Sequence, residues 1–534
     1  VNELKLTYHL AELPSAQHRA GLAGLVLMVQ YLDQQPWFKE RKDAVANFTN
    51  LNEFSATLKL NLEGLKALFD LTYAAFTEER STDKKIKKFD RIEEVKTTDL
   101  KGNTKLINRY YYSVTVPYGA FLPDWDKSSD DPDNGLWVKL WRDMLWQIIR
   151  GVPATRNPFN NRLNGSYSKD AEGVWKELKH PEKSTGQSGN YYLGAMASNP
   201  ENVPTKDIVI YQFLLHFWPF VAQVYRPATF DKDGRRELGG YVLAIPDVAN
   251  LIDFCDEFPN VLEERESLKS GYLPREAIID LTEEGALDLL RLLRDRIARK
   301  TGSQTLVDLI LGVELIHAEK VGNSGVKIRS ISQVEPVDTQ IDKYTQIKKA
   351  YWCPWFRKQR LLNLLQENPW WYDFDALLSR IPRKWLEDSR FSHDTRELFH
   401  IEGEINVKAD VRSNAQIVYQ VCQHYVLSKL ESKYGLKWDE CKGNSKKENG
   451  YNEKKGKIAN EAFLAVRSRT ESKVFVDYFV STLYPFVRKD EFVDFADALF
   501  NKSDEIRALT LLALSSQFPS KKKSESENSE AEVA

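Results

Sequence analysis

Between Arg150 and Lys169 the chain reads Arg-Gly-Val-Pro-Ala-Thr-Arg-Asn-Pro-Phe-Asn-Asn-Arg-Leu-Asn-Gly-Ser-Tyr-Ser-Lys, four cations and four asparagines with no acid. Guanidinium forks grip phosphates and carboxamides read base edges, so Arg156, Asn157, Asn160, Asn161 and Arg162 carry the chemistry of a nucleic-acid contact. Pro153, Pro158, Gly151 and Gly165 argue against a regular helix, and the expectation is a stiff, cationic loop. A polar connector whose asparagines satisfy their own turns is the bland alternative. A second polar loop, Gly186-Gln-Ser-Gly-Asn, offers Gln187 and Asn190 as further groove or wedge residues.

A third cationic group lies far along the chain. On a helix beginning at Lys457, the residues Lys457, Asn460 and Arg467 fall within about 80° of one another at about 100° per residue, while Ile458, Ala462, Ala465 and Val466 turn elsewhere. Arg469 projects away from that stripe. Taken alone, the stripe reads as a solvated helix face. Lys442, Lys446, Lys447, Lys454 and Lys455, in a lysine-, glycine- and asparagine-rich stretch expected to be a mobile loop, move the reading towards a polyanion.

Catalytic signatures are sparse. The chain has no Gly-x-x-x-x-Gly-Lys-Ser/Thr phosphate loop and no His-Glu-x-x-His pair, and Gly186-Gln-Ser-Gly-Asn lacks the last glycine of a nucleophile elbow. His393-Asp394 has the form of a metal-binding pair, which would make the chain a metal-dependent nuclease or phosphohydrolase. Such a site needs further histidines and carboxylates, and only His400 is near. The expectation is no enzyme, no cofactor and no metal.

These groups must be carried by several domains, because 534 residues exceed one core. Hydrophobic content of 42% is globular, and a net charge of −2 confines any nucleic-acid role to local patches. Cys255, Cys353, Cys422 and Cys441 stand far apart and read as reduced thiols of a cytoplasmic protein. There is no signal-peptide pattern and no apolar run long enough to span a bilayer, so no membrane role is expected.

The elements follow from periodicity. Ser15 caps a first helix with Leu22, Leu25, Val29 and Leu32 in register; Gly21 and Gly24 would admit a neighbouring backbone, and His18 and Arg19 are read as an exposed polar start. A helix near 60–76 precedes the cationic run Lys84-Lys-Ile-Lys-Lys. Residues 105–118 alternate as a strand containing Tyr110, Tyr111 and Tyr112, and 136–149 form a helix. A strand over 208–224, hairpins over 228–245 and 306–334, and helices near 247–266 and 283–300 complete an α+β domain over 1–336 with mixed strands, hairpins and helices. Residues 337–519 read as an all-α helical bundle, and 520–534 as a disordered tail.

Leu13-Pro-Ser-Ala-Gln-His-Arg-Ala-Gly-Leu-Ala-Gly, Arg150-Gly-Val-Pro-Ala-Thr-Arg-Asn-Pro-Phe, Tyr192-Leu-Gly-Ala, Tyr211-Gln-Phe-Leu-Leu-His-Phe-Trp-Pro, Gly240-Tyr-Val-Leu-Ala-Ile-Pro and Phe463-Leu-Ala-Val-Arg-Ser-Arg occur in this order. The chain so marked resembles the large subunit of type I CRISPR Cascade complexes, of the Cas-eight family and the I-B or Myxan kind. The resemblance implies a non-catalytic subunit beside the 5′ end of the crRNA, with Cas-five, Cas-six and Cas-seven type subunits as partners. It implies recognition of the protospacer-adjacent motif in target double-stranded DNA, help in opening the duplex, and a C-terminal bundle that holds the strands, while guide pairing reads the remaining sequence. Some relatives also make a small subunit from the C-terminal region; with Met196 the last methionine, that product would need a non-AUG start here. Related complexes recruit either a helicase-nuclease or, in CRISPR-associated transposons, a TniQ-type adaptor.

Overall fold

The computed structural model describes residues 3–98, 104–149, 157–165, 168–186, 193, 206–230, 236–297, 305–322, 325–386, 389–404 and 412–518. The chain divides into two compact units, Val1–Val337 and a second that begins at Asp338. The first mixes strands and helices, and the second is helical in its described residues, as the periodicity predicts.

The first unit is built around the helix Ala16–Gln34, almost every side of which is buried. Gly21 and Gly24 face the carbonyl oxygens of Leu214 and Phe217, which a Cβ would meet at 2.4 and 2.3 Å. These two glycines therefore admit another backbone at a distance no side chain tolerates. The carbonyls belong to the end of a short helix, Val209–Leu214, and the turn after it. Residues 208–224 are thus not the single strand expected: an unbroken apolar run does not separate strand from buried helix, and the strand starts only at Gln223.

Against the same helix packs the strand Tyr241–Val248, whose eight residues are all buried. It lies between Gln223–Phe230 and Ile310–Val321, with Arg236–Leu238 and Gly325–Val334 outside them, all antiparallel; Ile278–Ile279 adds a parallel pairing to Gln223–Phe230. A second sheet orders Leu4–His9, Ser55–Leu60 and Ala46–Leu51. A third places Thr104–Pro117 between Ala75–Thr82 and Arg91–Thr98. The expected hairpin over 306–334 is present, preceded by the short helix Leu306–Leu309.

His18 and Arg19 are not an exposed start. His18 is 1% exposed, with Nδ1 2.7 Å from the Ser15 hydroxyl and Nε2 2.8 Å from the Asp207 carboxylate. Arg19 donates through Nη2 to Asp247 at 2.9 Å and through Nη1 to the Leu13 carbonyl at 2.7 Å. The first turn is polar because it meets buried carboxylates from distant strands, a reason that local periodicity does not contain.

In the second unit the helix Ser503–Ser515 is the central post, with every residue from Ile506 to Ser515 buried. Around it pack Asn414–Tyr434, Ser445–Arg467, Phe374–Arg380 and Ser389–Ile401. A helix apolar on all sides belongs at the centre of a bundle, and its one buried guanidinium, Arg507, is neutralised by Asp375 and donates to the Arg469 carbonyl at 3.0 Å. The expected tail lies outside the described residues.

The glycine contacts set a test. Gly24→Ala is expected to destabilise the N-terminal unit by about 1–3 kcal/mol, because the Phe217 backbone must move. Gly173→Ala, at an exposed position of the helix Ser168–Leu178 with nothing within 4 Å of a new Cβ, is expected to stabilise it by about 0.4–1 kcal/mol. Denaturant unfolding of the two variants should shift in opposite directions.

Candidate nucleic-acid interface

The asparagine-rich stretch is not wholly a loop. Asn157–Leu163 is a helix, because Pro158 falls in the first turn, where its missing N–H has no intrahelical acceptor to lose, and the chain leaves the helix through Gly165 at φ +72°. Arg162 does not reach outward. Its side chain is 5% exposed, donates through Nη2 to Asp170 at 3.2 Å, lies 3.7 Å from Asp70, and rests over the rings of Tyr73 and Phe69. Burial pushes the Asp70 carboxyl up, against the pull of Arg162 and Arg41. Arg162 therefore fixes the short helix to the fold. Asn160 is exposed and Asn161 half-buried, which leaves their carboxamides as the outward groups. Arg150, Arg156, Gln187 and Asn190 lie outside the described residues.

The borders of the second polar loop are held. Ser184–Gly186 pairs with Lys206–Ile208, His18 meets Asp207, and the Leu193 N–H donates to the Gln17 side chain at 3.2 Å. The first turn of the Ala16–Gln34 helix thus grips two points beside that stretch, Asp207 through His18 and Leu193 through Gln17. The polar residues Gln17 and His18 opening an otherwise apolar helix were the only trace of this role in the sequence.

In the second unit the lysine-rich stretch expected to be a loop is largely helix. Trp438–Cys441 is one turn, and Ser445–Arg467 runs unbroken for 23 residues. Asn444 caps it by accepting from the N–H groups of Lys446 and Lys447, Glu448 accepts from the Gly443 N–H at 2.8 Å, and Tyr451 buries its ring edge-on to Trp438. Gly443-Asn444 followed by Glu448 is a readable helix start. The early start places Lys446, Lys454 and Lys457 within about 80° on one side and spaces Lys446 from Lys457 by about 16 Å. Lys446, Lys447 and Lys457 are exposed.

Of the expected stripe, Asn460 is half-buried and Arg467 serves the fold, donating to the Ser379 carbonyl. Arg469, off the stripe as expected, donates to the Ala465 carbonyl with its guanidinium 4.5 Å over the Tyr478 ring. The exposed row thus gains Lys446 and Lys447 and loses Arg467.

His393-Asp394 is not arranged as a metal pair. Asp394 is fully buried and accepts from the backbone N–H groups of Trp352, at 2.9 Å, and Cys353, which open the helix Pro354–Leu365. His393 stacks flat on Trp352, with ring centres 4.2 Å apart and planes 5° from parallel. Among the described residues no group of three or more His, Cys, Asp or Glu could hold a metal. A carboxylate committed to two amides is a helix-start clamp, which corrects the reading of a metal-dependent phosphohydrolase.

Burial raises the Asp394 carboxyl to about 6, against the opposing pull of the two amides and His393. The folded protein therefore takes up a proton as the pH falls from 7 through 6, while the unfolded carboxyl does so only near its ordinary, lower pKa; acidification over that window favours the folded form. Asp394→Asn is expected to cost about 1–3 kcal/mol at pH 7. The wild-type margin over the variant should widen between pH 7 and pH 5, as thermal unfolding at the two values will show.

Residues 45–303 match the Type I-B CRISPR Cas8b N-terminal domain, and residues 310–517 match the Type I-B CRISPR Cas8b C-terminal domain. None of the curated proteins compared matches the chain. The second match takes in the hairpin Ile310–Val334, although that hairpin completes the sheet of the first unit. With both domain types in order from residue 45 to residue 517, the chain belongs to the Cas8b family, the large subunits of type I-B CRISPR Cascade complexes.

Proposed function

We propose that this subunit recognises the protospacer-adjacent motif of target DNA, helps to open the duplex and holds the separated strands, breaking no bond itself. The observation that carries the reading is the row Lys446, Lys447 and Lys457, exposed on one helix of a chain whose net charge is −2. A local cationic row on a nearly neutral protein is the electrostatic footprint of a polyanion. Its span of about 16 Å suits successive phosphates of one strand.

Motif reading falls to the carboxamides of Asn160 and Asn161, with Arg156, Gln187 and Asn190 of the two polar stretches assigned to the same task. An amide both donates and accepts, so it suits the acceptor-rich minor groove. Arg162 acts beneath them by fixing their helix. The crRNA and the Cas-five, Cas-six and Cas-seven type subunits complete the complex, and pairing with the guide reads the remaining target. The same recognition step serves interference where a helicase-nuclease is recruited, or RNA-guided transposition where a TniQ-type adaptor is.

In the assembled complex, Lys446→Ala with Lys457→Ala should weaken binding to every motif variant alike and lower the slope of log affinity against log salt by about two. Asn160→Ala should instead change the ranking of motif variants, by about 1–3 kcal/mol at the affected base pair. Filter binding over a salt series and a motif panel measures both; equal losses on all motifs from both changes would contradict this division.

A further inference from the structure

The run Lys84-Lys85-Ile86-Lys87-Lys88 belongs neither to the two polar stretches nor to the lysine row of the second unit, and the fold puts it on display. Ala75–Thr82 and Arg91–Thr98 flank Thr104–Pro117 on opposite sides, with Thr82 opposite Tyr110 and Arg91 opposite Tyr111. Residues 83–90 therefore cross one face of the middle strand. Both ends of the crossing are tied down. Asp83 accepts from Nε of Arg109 at 3.0 Å, while Asp90 donates its N–H to the Tyr111 carbonyl at 2.7 Å and accepts from the Ser113 hydroxyl at 2.6 Å. Phe89 lies edge-on to the buried Tyr110 ring, with centroids 5.4 Å apart. Little ordering cost is left for a ligand to meet.

Lys84, Lys85, Lys87 and Lys88 are all exposed, and among the described residues none has a carboxylate partner. The acids at either end are committed, Asp83 to Arg109 and Asp90 to Ser113. The arginines of the same sheet are neutralised, Arg80 by Glu78 and Arg91 by Glu79. Like charges packed this closely repel one another, and a polyanion relieves the repulsion. The crossing offers ammonium groups alone, with no carboxamide or guanidinium, so it suits phosphates and reads no base.

The sheet also sets the course of that polyanion. The helix Asn157–Leu163 packs on Ala75–Thr82 and Thr104–Pro117, and its Phe159 meets Tyr73, just before the first of these strands, with ring centroids 5.2 Å apart. From Ala75 to Thr82 the strand rises about 24 Å. That is about seven duplex steps at about 3.4 Å each between the helix carrying Asn160 and the lysines. A duplex, with a persistence length of about 50 nm, is straight over such a span, whereas a single strand is not. On the guide-paired side of the motif the strands are separated, so the duplex that reaches the lysines is the outer flank.

We propose that the Lys84 to Lys88 crossing is a phosphate contact for duplex DNA flanking the motif on the side away from the guide-paired target, adding affinity without sequence choice. The proposal rests on the reading that the helix carrying Asn160 meets the motif.

The test compares target duplexes of one motif sequence whose outer flank extends about three or about twelve base pairs, bound to the assembled complex over a salt series. The wild type should prefer the long flank. Replacing all four lysines by glutamine should weaken long-flank binding about tenfold, lower the slope of log affinity against log salt by about two, and leave short-flank binding unchanged. Replacement by arginine should keep the long-flank preference. Three results overturn the contact: unchanged binding to both duplexes, which makes the run a solvated loop; equal losses on both, which moves its ligand off the flank; or failure of the glutamine variant to enter the complex, which makes it a guide or protein contact. Because a single motif sequence is used, a failure of motif reading at Asn160, seen only in the ranking of motif variants, is distinguishable from a failure of this contact.

Discussion

A guanidinium held by a buried carboxylate is not available to a phosphate, and this constraint divides the cations of the chain. With 75 lysines and arginines against 77 acids, nearly every cation has a carboxylate within reach of the composition. Arg19 goes to Asp247, Arg162 to Asp170, Arg265 to Asp288, Arg360 to Glu402, Arg412 to Glu491 and Arg507 to Asp375. These pairs are wholly or largely shielded from water, where losing one partner leaves an uncompensated charge; they specify the fold. The planar, multidentate guanidinium is suited to such work, whereas the strongly hydrated ammonium stays at the surface. The exposed cations of the helix Ser445–Arg467 are accordingly lysines, Lys446, Lys447 and Lys457, while its Arg467 is turned to a backbone carbonyl of the fold.

The same division explains what was readable in the sequence. Gly21 and Gly24 announced a close backbone approach because their spacing alone places both on one helix face. The helical character beyond Asp338 followed from periodicity, which bundle packing obeys. Arg162 looked like a ligand-binding residue because the stretch Arg150 to Lys169 carries no acid, although Asp170 follows directly after it and folds back onto Arg162, and Asp70, which also lies beside it, is far away along the chain. His18 and Arg19 failed for the same reason, since Asp207 and Asp247 arrive through tertiary structure. The helix Ser445–Arg467 was missed over its first twelve residues because glycine and lysine content outweighed the cap at Asn444. Periodicity does not see partners that arrive through tertiary structure, as Asp207 and Asp247 do.

Family and fold divide the chain at different places. The boundary between the two Cas8b matches falls between residues 303 and 310, before the hairpin Ile310–Val334, while the compact units part at residue 337. The hairpin pairs along Tyr241–Val248, the fully buried strand that also supports the Ala16–Gln34 helix. A fragment cut at the family boundary would expose that strand edge. The strand Tyr241–Val248 of the first match and the hairpin of the second thus share one sheet, against which the Ala16–Gln34 helix packs from outside both matches, and the first turn of that helix holds Asp207 and Leu193.

The central claim is that outward amides in one unit and outward lysines in the other meet the same DNA. A photoreactive amino acid placed singly at Asn160, Lys457 and Arg469 in the assembled complex, irradiated with a labelled target duplex carrying the motif, measures this directly. The account predicts DNA adducts from positions 160 and 457 and none from 469; adducts with protein alone from the first two positions would contradict it.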